Sequence, residues 1–146
     1  MTRNVLEQHI AALNAHDLDA VLAGLGPAVE WISPGGVVLQ GPAQVEQFLL
    51  AWWRAFPDAT FHLGTQVVGD AVGALEATLV ATHRGTLRTP SGDIPATGRT
   101  VRIPYAAILR LDGGRIAAKH LYFDLADVLA QLGVADQFVG ALSGRL

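Results

Sequence analysis

The chain has 146 residues, of which 51% are apolar and 16% charged, a composition of folded domains rather than disordered ones. One domain spanning 1–146 is expected, able to bury roughly two thirds of the surface that its unfolded form exposes. A formal charge of −3 speaks against a nucleic-acid protein, and the absence of cysteine excludes disulfides, thiolate catalysis and any zinc site not built from His and carboxylates.

Leu6, Ile10 and Leu13 keep helical spacing, and Asn4 or Thr2 could cap that helix. Beyond Asn14-Ala15-His16-Asp17 a second helical pattern runs through Leu18, Val21, Leu22 and Leu25, until Gly26-Pro27 stops it. Val29-Glu30-Trp31-Ile32 reads as a short strand closed by the turn Ser33-Pro34-Gly35-Gly36. Gly41-Pro42 opens a third helix with an apolar face of Val45, Phe48, Leu49 and Trp52, extended by Trp53 and Phe56 and ended by Pro57. From residue 60 the period changes to two. Residues 60–69, 72–86, 99–112 and 115–123 read as four strands, punctuated by Gly69-Asp70, a longer excursion at Thr89-Pro90-Ser91-Gly92-Asp93, and the hairpin signal Asp112-Gly113-Gly114. Asp124 to Leu132 is a last helical pattern with Gly133 at its end, and the tail from Val134 to Leu146 could add another short helix.

Helices followed by a run of antiparallel strands mean α+β: a cone-shaped α+β barrel, with N-terminal helices packed on a strongly curved, mostly antiparallel sheet. No run approaches the ~18–20 apolar residues of a membrane span. The opening Met1-Thr2-Arg3-Asn4 leads into an amphipathic stretch with no apolar signal core, so a cytoplasmic protein with no membrane partner is expected.

Strand parity sorts the polar residues. Leu75, Ala77, Leu79, Ala81 and His83 share one face, as do Val101, Ile103, Tyr105, Ala107, Leu109 and Leu111. If the last strand is regular, Ile116, Ala118, His120, Tyr122 and Asp124 form a third such face. Polar groups interrupting apolar faces are the composition of a pocket lining. In an apolar cavity Asp124 could hold a proton near neutral pH and serve as acid or base. Asp is equally among the best N-caps, and Asp124 stands directly before a helical pattern, so it reads as a cap as well. His83 and His120 are further candidates, although a lone His on an apolar face more often serves the core. His9, His16 and His62 read as surface or edge histidines, and no metal motif is present. Tyr105 and Tyr122 could orient a substrate oxygen, while Trp31, Trp52 and Phe56 could wall a flat ligand. No phosphate-cradling loop, nucleophile elbow or dinucleotide fingerprint occurs.

These residues and their order resemble the SnoaL-like polyketide cyclases of the nuclear-transport-factor-2-like superfamily, from about residue 5 to 134. Residues 12–36 resemble the family's paired helices and Glu-Trp strand, and "AWWRAFPD" its helix end. "THRGTL" and the stretch 95–133 resemble its C-terminal half. The resemblance implies an often dimeric fold that closes a ring by intramolecular aldol condensation without a metal or organic cofactor. It implies Asp124, ahead of a helix ending in Gln131-Leu132-Gly133, as acid/base, with His83 and His120 orienting or polarising substrate oxygens. Leu121-Tyr122 stands where relatives often carry Trp after the histidine, so the pocket wall differs. The expected partner is a hydrophobic polycyclic or polyketide small molecule, in a homodimer. An isomerase, a dehydratase and a non-catalytic binding or dimerisation module are the alternatives on the same scaffold.

Overall fold

A computed structural model describes residues 2–89 and 91–137. Helix α1 (Thr2–Asn14) buries Leu6, His9, Ile10 and Leu13 along one face. The chain turns at His16, in the left-handed region at φ 52°, into α2 (Leu18–Ala23), whose N-cap Asp17 accepts the Ala20 N–H at 3.1 Å. Asn14 secures this corner to the sheet, accepting the Phe61 N–H at 2.7 Å and donating to the Phe61 carbonyl at 2.9 Å. Strands β1 (Leu25–Ser33) and β2 (Val37–Gln40) form a hairpin, and α3 (Pro42–Ala55) follows with Pro at its first turn. The remainder is β3 (Thr60–Val68), β4 (Val72–Thr82), a small hairpin of β5 (Leu87–Thr89) and β6 (Gly92–Ile94), β7 (Thr100–Asp112), β8 (Arg115–Tyr122) and α4 (Leu125–Gln131).

The main sheet has the order β2-β1-β8-β7-β4-β3 and is antiparallel except where β1 runs parallel to β8. It is the expected curved α+β sheet but not a barrel: β2 and β3 remain edges, with α3 packed on β1 and β2 and α1 on β3 and β4. The second helix is shorter than its apolar spacing implies, because Leu25 leaves it to pair with Ile116 of β8. The strand expected over 72–86 ends at Thr82. Beyond it the Arg84 and Gly85 N–H groups both bond to the carbonyl of Ala55, at 2.9 and 3.1 Å. Both turn glycines of the β7–β8 hairpin, Gly113 and Gly114, have positive φ, as their sequence implies. Of the tail from Val134 to Leu146, where a further short helix was expected, residues 138–146 lie outside the described residues. Among those described, no helix is long and apolar enough to cross a membrane.

A departure from regular geometry in β8 decides which of its side chains face inward. Arg110 of β7 faces Ala118 while its neighbour Leu111 faces Ile116, so Ala117 is an extra, bulged residue. A bulge reverses the parity of everything beyond it. Ile116 points into the cone as expected, but so do Lys119 and Leu121, whereas His120 and Tyr122 turn to the outer face.

Helix α4 closes one end of the cone through Gln131. Its side chain accepts the Arg102 N–H at 2.7 Å and donates to the Arg102 carbonyl at 3.0 Å, replacing a strand where β7 extends past β8. The end of α3 is fixed as tightly. A Cβ at Gly85 would run into the backbone carbonyl of Arg54, which cannot move without unwinding the helix. Gly85→Ala is therefore expected to cost about 1–3 kcal/mol, the range for overpacking a rigid contact. Urea melts would check it, and an unchanged midpoint would show that α3 and the segment after β4 are not so pinned.

Candidate active site

The helices and the concave face of the sheet enclose an aromatic cavity of about 70 Å³, walled by Trp31, Phe48, Trp52, Trp53, Phe61, Tyr105 and Phe123. A second cavity of about 190 Å³ shares Phe48, Trp52 and Phe123 with it and continues between α3, the β1–β2 turn and β5. Larger furrows of about 420 and 780 Å³ lie on the outer face of the sheet and beside α1 and α2, but both are open and bordered by polar side chains. Among the described residues, the inner cavities are the more enclosed and have the more apolar walls, as a small-molecule site requires.

One ionisable amine reaches the inner cavity. Lys119 is 1% exposed, with its Nζ 4.4 Å from the centroid of the Trp31 ring and 5.6 Å from that of Tyr105. His9 of α1, itself 5% exposed, stands with Nε2 2.9 Å from this Nζ and its ring edge-on to Trp31. Burial lowers the Lys119 pKa from its usual 10.5 to about 7, because the ammonium gives up its hydration for an aromatic cage. Burial first, and then the Lys119 charge, hold His9 well below 6.5. The imidazole is then neutral and Nε2 accepts from Lys119. His9 also borders the furrow beside α1, which gives the amine a one-residue path to solvent. The indole N–H of Trp31 is buried with no hydrogen-bond partner among the described residues.

The sequence candidates distribute differently from the expected constellation. Trp31, Trp52 and Tyr105 line the inner cavity, and Phe56 stacks on Trp52 at 5.4 Å. Burial raises the Tyr105 phenol above its usual range, so it stays protonated. Asp124 does not share the inward face expected for it. It is exposed, caps α4 by accepting the Asp127 N–H at 3.1 Å, and lies between Phe123 and Leu125, which line the outer of the two inner cavities. His120 is on the outer face, 3.2 Å from the Glu30 carboxylate, and Tyr122 is 56% exposed there, both turned outward by the bulge. His83 is fully buried against Phe56, and its Nδ1 accepts the Thr97 N–H at 3.2 Å. Burial lowers its pKa, and among the described residues its Nε2 has no hydrogen-bond partner. It fixes the 97–99 segment, with backbone bonds to Gly98 and Arg99, and does not line either cavity.

Two expectations about basic residues are corrected. His9 is no surface histidine, and the inward ionisable residue of β8 is Lys119. A sequence signal for the second exists: Lys119 is the chain's one lysine beside nine arginines. An arginine in its place could not shed its proton. No group of three or more His, Asp or Glu able to hold a metal occurs among the described residues.

The model of the SnoaL-like domain family matches residues 6–119. The chain belongs to that family. Solved structures agree on the fold of this SnoaL-like domain. A candidate polyketide cyclase of Xanthomonas campestris pv. campestris is 22% identical, with a TM-score of 0.81 over 90% of this chain and 96% of that one. Another, from Pseudomonas putida KT2440, is 27% identical, with 0.73 over 87% and 94%. AclR of Streptomyces galilaeus, a candidate hydroxylase, is 21% identical, with 0.77 over 91% and 85%. No curated protein matches the sequence. Identities of 21–27% speak here for the fold, and the chemistry of this SnoaL-like domain must be argued from its own cavity.

The burial of Lys119 has a consequence for stability. From about pH 7 to 10.5 the unfolded chain holds a proton that the folded chain lacks, so this group's contribution to stability rises with pH across that window. The slope is at most about 1.4 kcal/mol per pH unit. Lys119→Met removes the titration while keeping similar volume, so its stability relative to the parent chain should fall as pH rises from 7 to 10.5. A difference independent of pH in urea melts would mean that the amine is solvated.

Proposed function

We propose that this SnoaL-like domain closes a ring in a small hydrophobic polyketide-like substrate by intramolecular aldol condensation, with Lys119 moving the proton. The observation that carries this reading is the Lys119 amine, held by His9 at the wall of an aromatic cavity and titrating near neutral pH. A group with a pKa near the working pH is the best compromise between base and acid.

The chemistry follows from the two states of that group. The neutral amine takes a proton from a carbon flanked by carbonyls, and those carbonyls delocalise the charge left behind. The enolate carbon attacks the second carbonyl, and the ammonium returns the proton to the alkoxide that forms. Atoms are conserved, and no external oxidant or reductant enters. When protonated, Lys119 has N–H donors beyond the one given to His9, and substrate oxygens would satisfy them. Phe48, Trp52 and Phe123 hold the folded substrate near its attack geometry.

The volumes narrow the substrate class. Cavities of about 70 and 190 Å³ are below the roughly 300–1,000 Å³ of sites for drug-sized ligands. A substrate of one or two rings fits this space better than a larger polycycle. Asp124, at the rim, is left as the cap of α4, within reach only of a substrate's outer end.

Product analysis with short acyclic diketones tests the reading. A new ring supports the aldol reaction, whereas a shifted double bond or lost water would replace it with an isomerase or dehydratase using the same proton shuttle. Lys119→Met should cost roughly 10²–10⁴ in rate, and Asp124→Asn, which preserves the cap, less than about tenfold. The reverse ranking would move the reaction out to the rim and overturn the role given to Lys119.

A further inference from the structure

We infer that Lys119 and His9 form a covalent carbonyl-capturing site, in which the lysine amine condenses with an unhindered ketone or 1,3-dicarbonyl compound to give an iminium ion. This deepens the proposed function and rests on its premise that carbonyl compounds reach the inner cavity. It differs in giving the amine a second role, as nucleophile.

Three features of the geometry carry it. The first is position: Lys119 lines the aromatic cavity, and its Nζ stands against the Trp31 and Tyr105 rings that wall it. The second is the neighbour. His9 Nε2, 2.9 Å away, can take the proton that an ammonium must lose before it can attack. The third is the absence of competing charge. The titratable groups facing the amine are His9 from α1 and the Tyr105 phenol from β7, while β1, β3 and α3 present Trp31, Phe61, Phe48, Trp52 and Trp53. Among the described residues, no carboxylate lines the cavity to hold the amine as an ion pair.

The step balances. The ammonium passes a proton to His9, and the neutral amine forms a C–N bond to the carbonyl carbon while the C=O π pair moves to oxygen. A proton shifts from nitrogen to that oxygen, giving a carbinolamine. His9 returns its proton to the hydroxyl, the C–O bond breaks, and water leaves. The products are the iminium ion, water and a neutral His9. An iminium draws electrons from the adjacent carbon more strongly than a ketone does, so the captured compound is activated for loss of a C–H proton.

The chain makes the test unusually clean, because Lys119 carries its one side-chain amine. Acetylacetone is the probe: it enters as a small dicarbonyl, and its lysine adduct is a stable vinylogous amide with its own near-ultraviolet band. Incubation of the intact protein should give that band and a mass gain of acetylacetone less one water. Peptide mapping should place the adduct on Lys119, apart from any product at the N-terminal amine. The rate should climb with the neutral fraction, with a midpoint near pH 7. Lys119→Met should abolish the band. His9→Gln retains an acceptor beside Nζ but cannot carry a proton, so labelling should slow roughly 10²-fold, and an unchanged rate would overturn the role of His9.

Quenching of tryptophan fluorescence reports entry separately from reaction. Reversible quenching without an adduct would overturn covalent capture and leave the proton-transfer reading standing. An adduct at Lys119 that forms only after denaturation, with no quenching in the folded protein, would overturn both.

Discussion

The side chains of a strand alternate, so the single extra residue at Ala117 decides which groups of β8 meet inside the cone. Without it His120 and Tyr122 would face α1 and α3, and Lys119 would lie in solvent. With it, the strand delivers an amine to the aromatic cage and leaves a histidine to pair with Glu30 on the outer face. The bulge depends in turn on its neighbour. Strand β1 makes a compensating shift between Leu25 and Glu30, where Gly26-Pro27 interrupts the ladder, and so brings Trp31 directly opposite Lys119. The Gly-Pro pair, which reads in sequence as a helix stop, is thus part of how the site is assembled.

That arrangement is costly to hold. A buried amine loses hydration, and an unpartnered indole N–H costs about 1–3 kcal/mol in addition. The rest of the fold supplies compensating order at a distance from the cavity. Gln131 completes the exposed ladder of β7, Asn14 joins the α1–α2 corner to β3, and Asp58 accepts the Thr82 N–H at 2.6 Å. Desolvation acts to raise the Asp58 pKa, but the hydrogen bonds to Thr82 outweigh it and keep the carboxylate ionised. Local rules are obeyed at these contacts and broken at the cage, a division expected where a fold stores a functional group.

The sequence made much of this architecture legible because apolar spacing reports directly on burial. The alternation through β4 and β7 assigns their inner faces, Tyr105 included, and the spacing of Val45 and Leu49 assigns the buried face of α3. The resemblance to SnoaL-like proteins survives as family membership. What remained hidden depends on contacts between distant segments. A bulge is a property of two strands, and Ala117 looks like any other residue of a regular run. His9 shares the helical spacing of Leu6, Ile10 and Leu13, which signals its buried face, but its partner in space is 110 residues away. The inconspicuous strand β2 and the hairpin β5–β6 are too short for periodicity to announce. Asp124 was legible in one respect: its position before an apolar helical pattern is that of a cap, and it caps α4.

The sign of the buried charge matters less to proton transfer than its isolation. Desolvation disfavours whichever form is charged, raising a carboxyl and lowering an amine, so the two approach neutral pH from opposite sides. An apolar cone with one enclosed ionisable group can therefore shuttle protons with either type. What distinguishes the amine is its other chemistry. Its cation donates hydrogen bonds to a developing oxyanion, where a carboxylate would repel it. Its neutral form has a lone pair that can bond to carbon and then be expelled by water. An inward Lys119 and an outward Asp124 thus give this SnoaL-like domain an interior suited to electron-poor carbonyl carbon and electron-rich oxygen. The fold is shared with its relatives, and the reactive polarity of its cavity is set by one bulged residue.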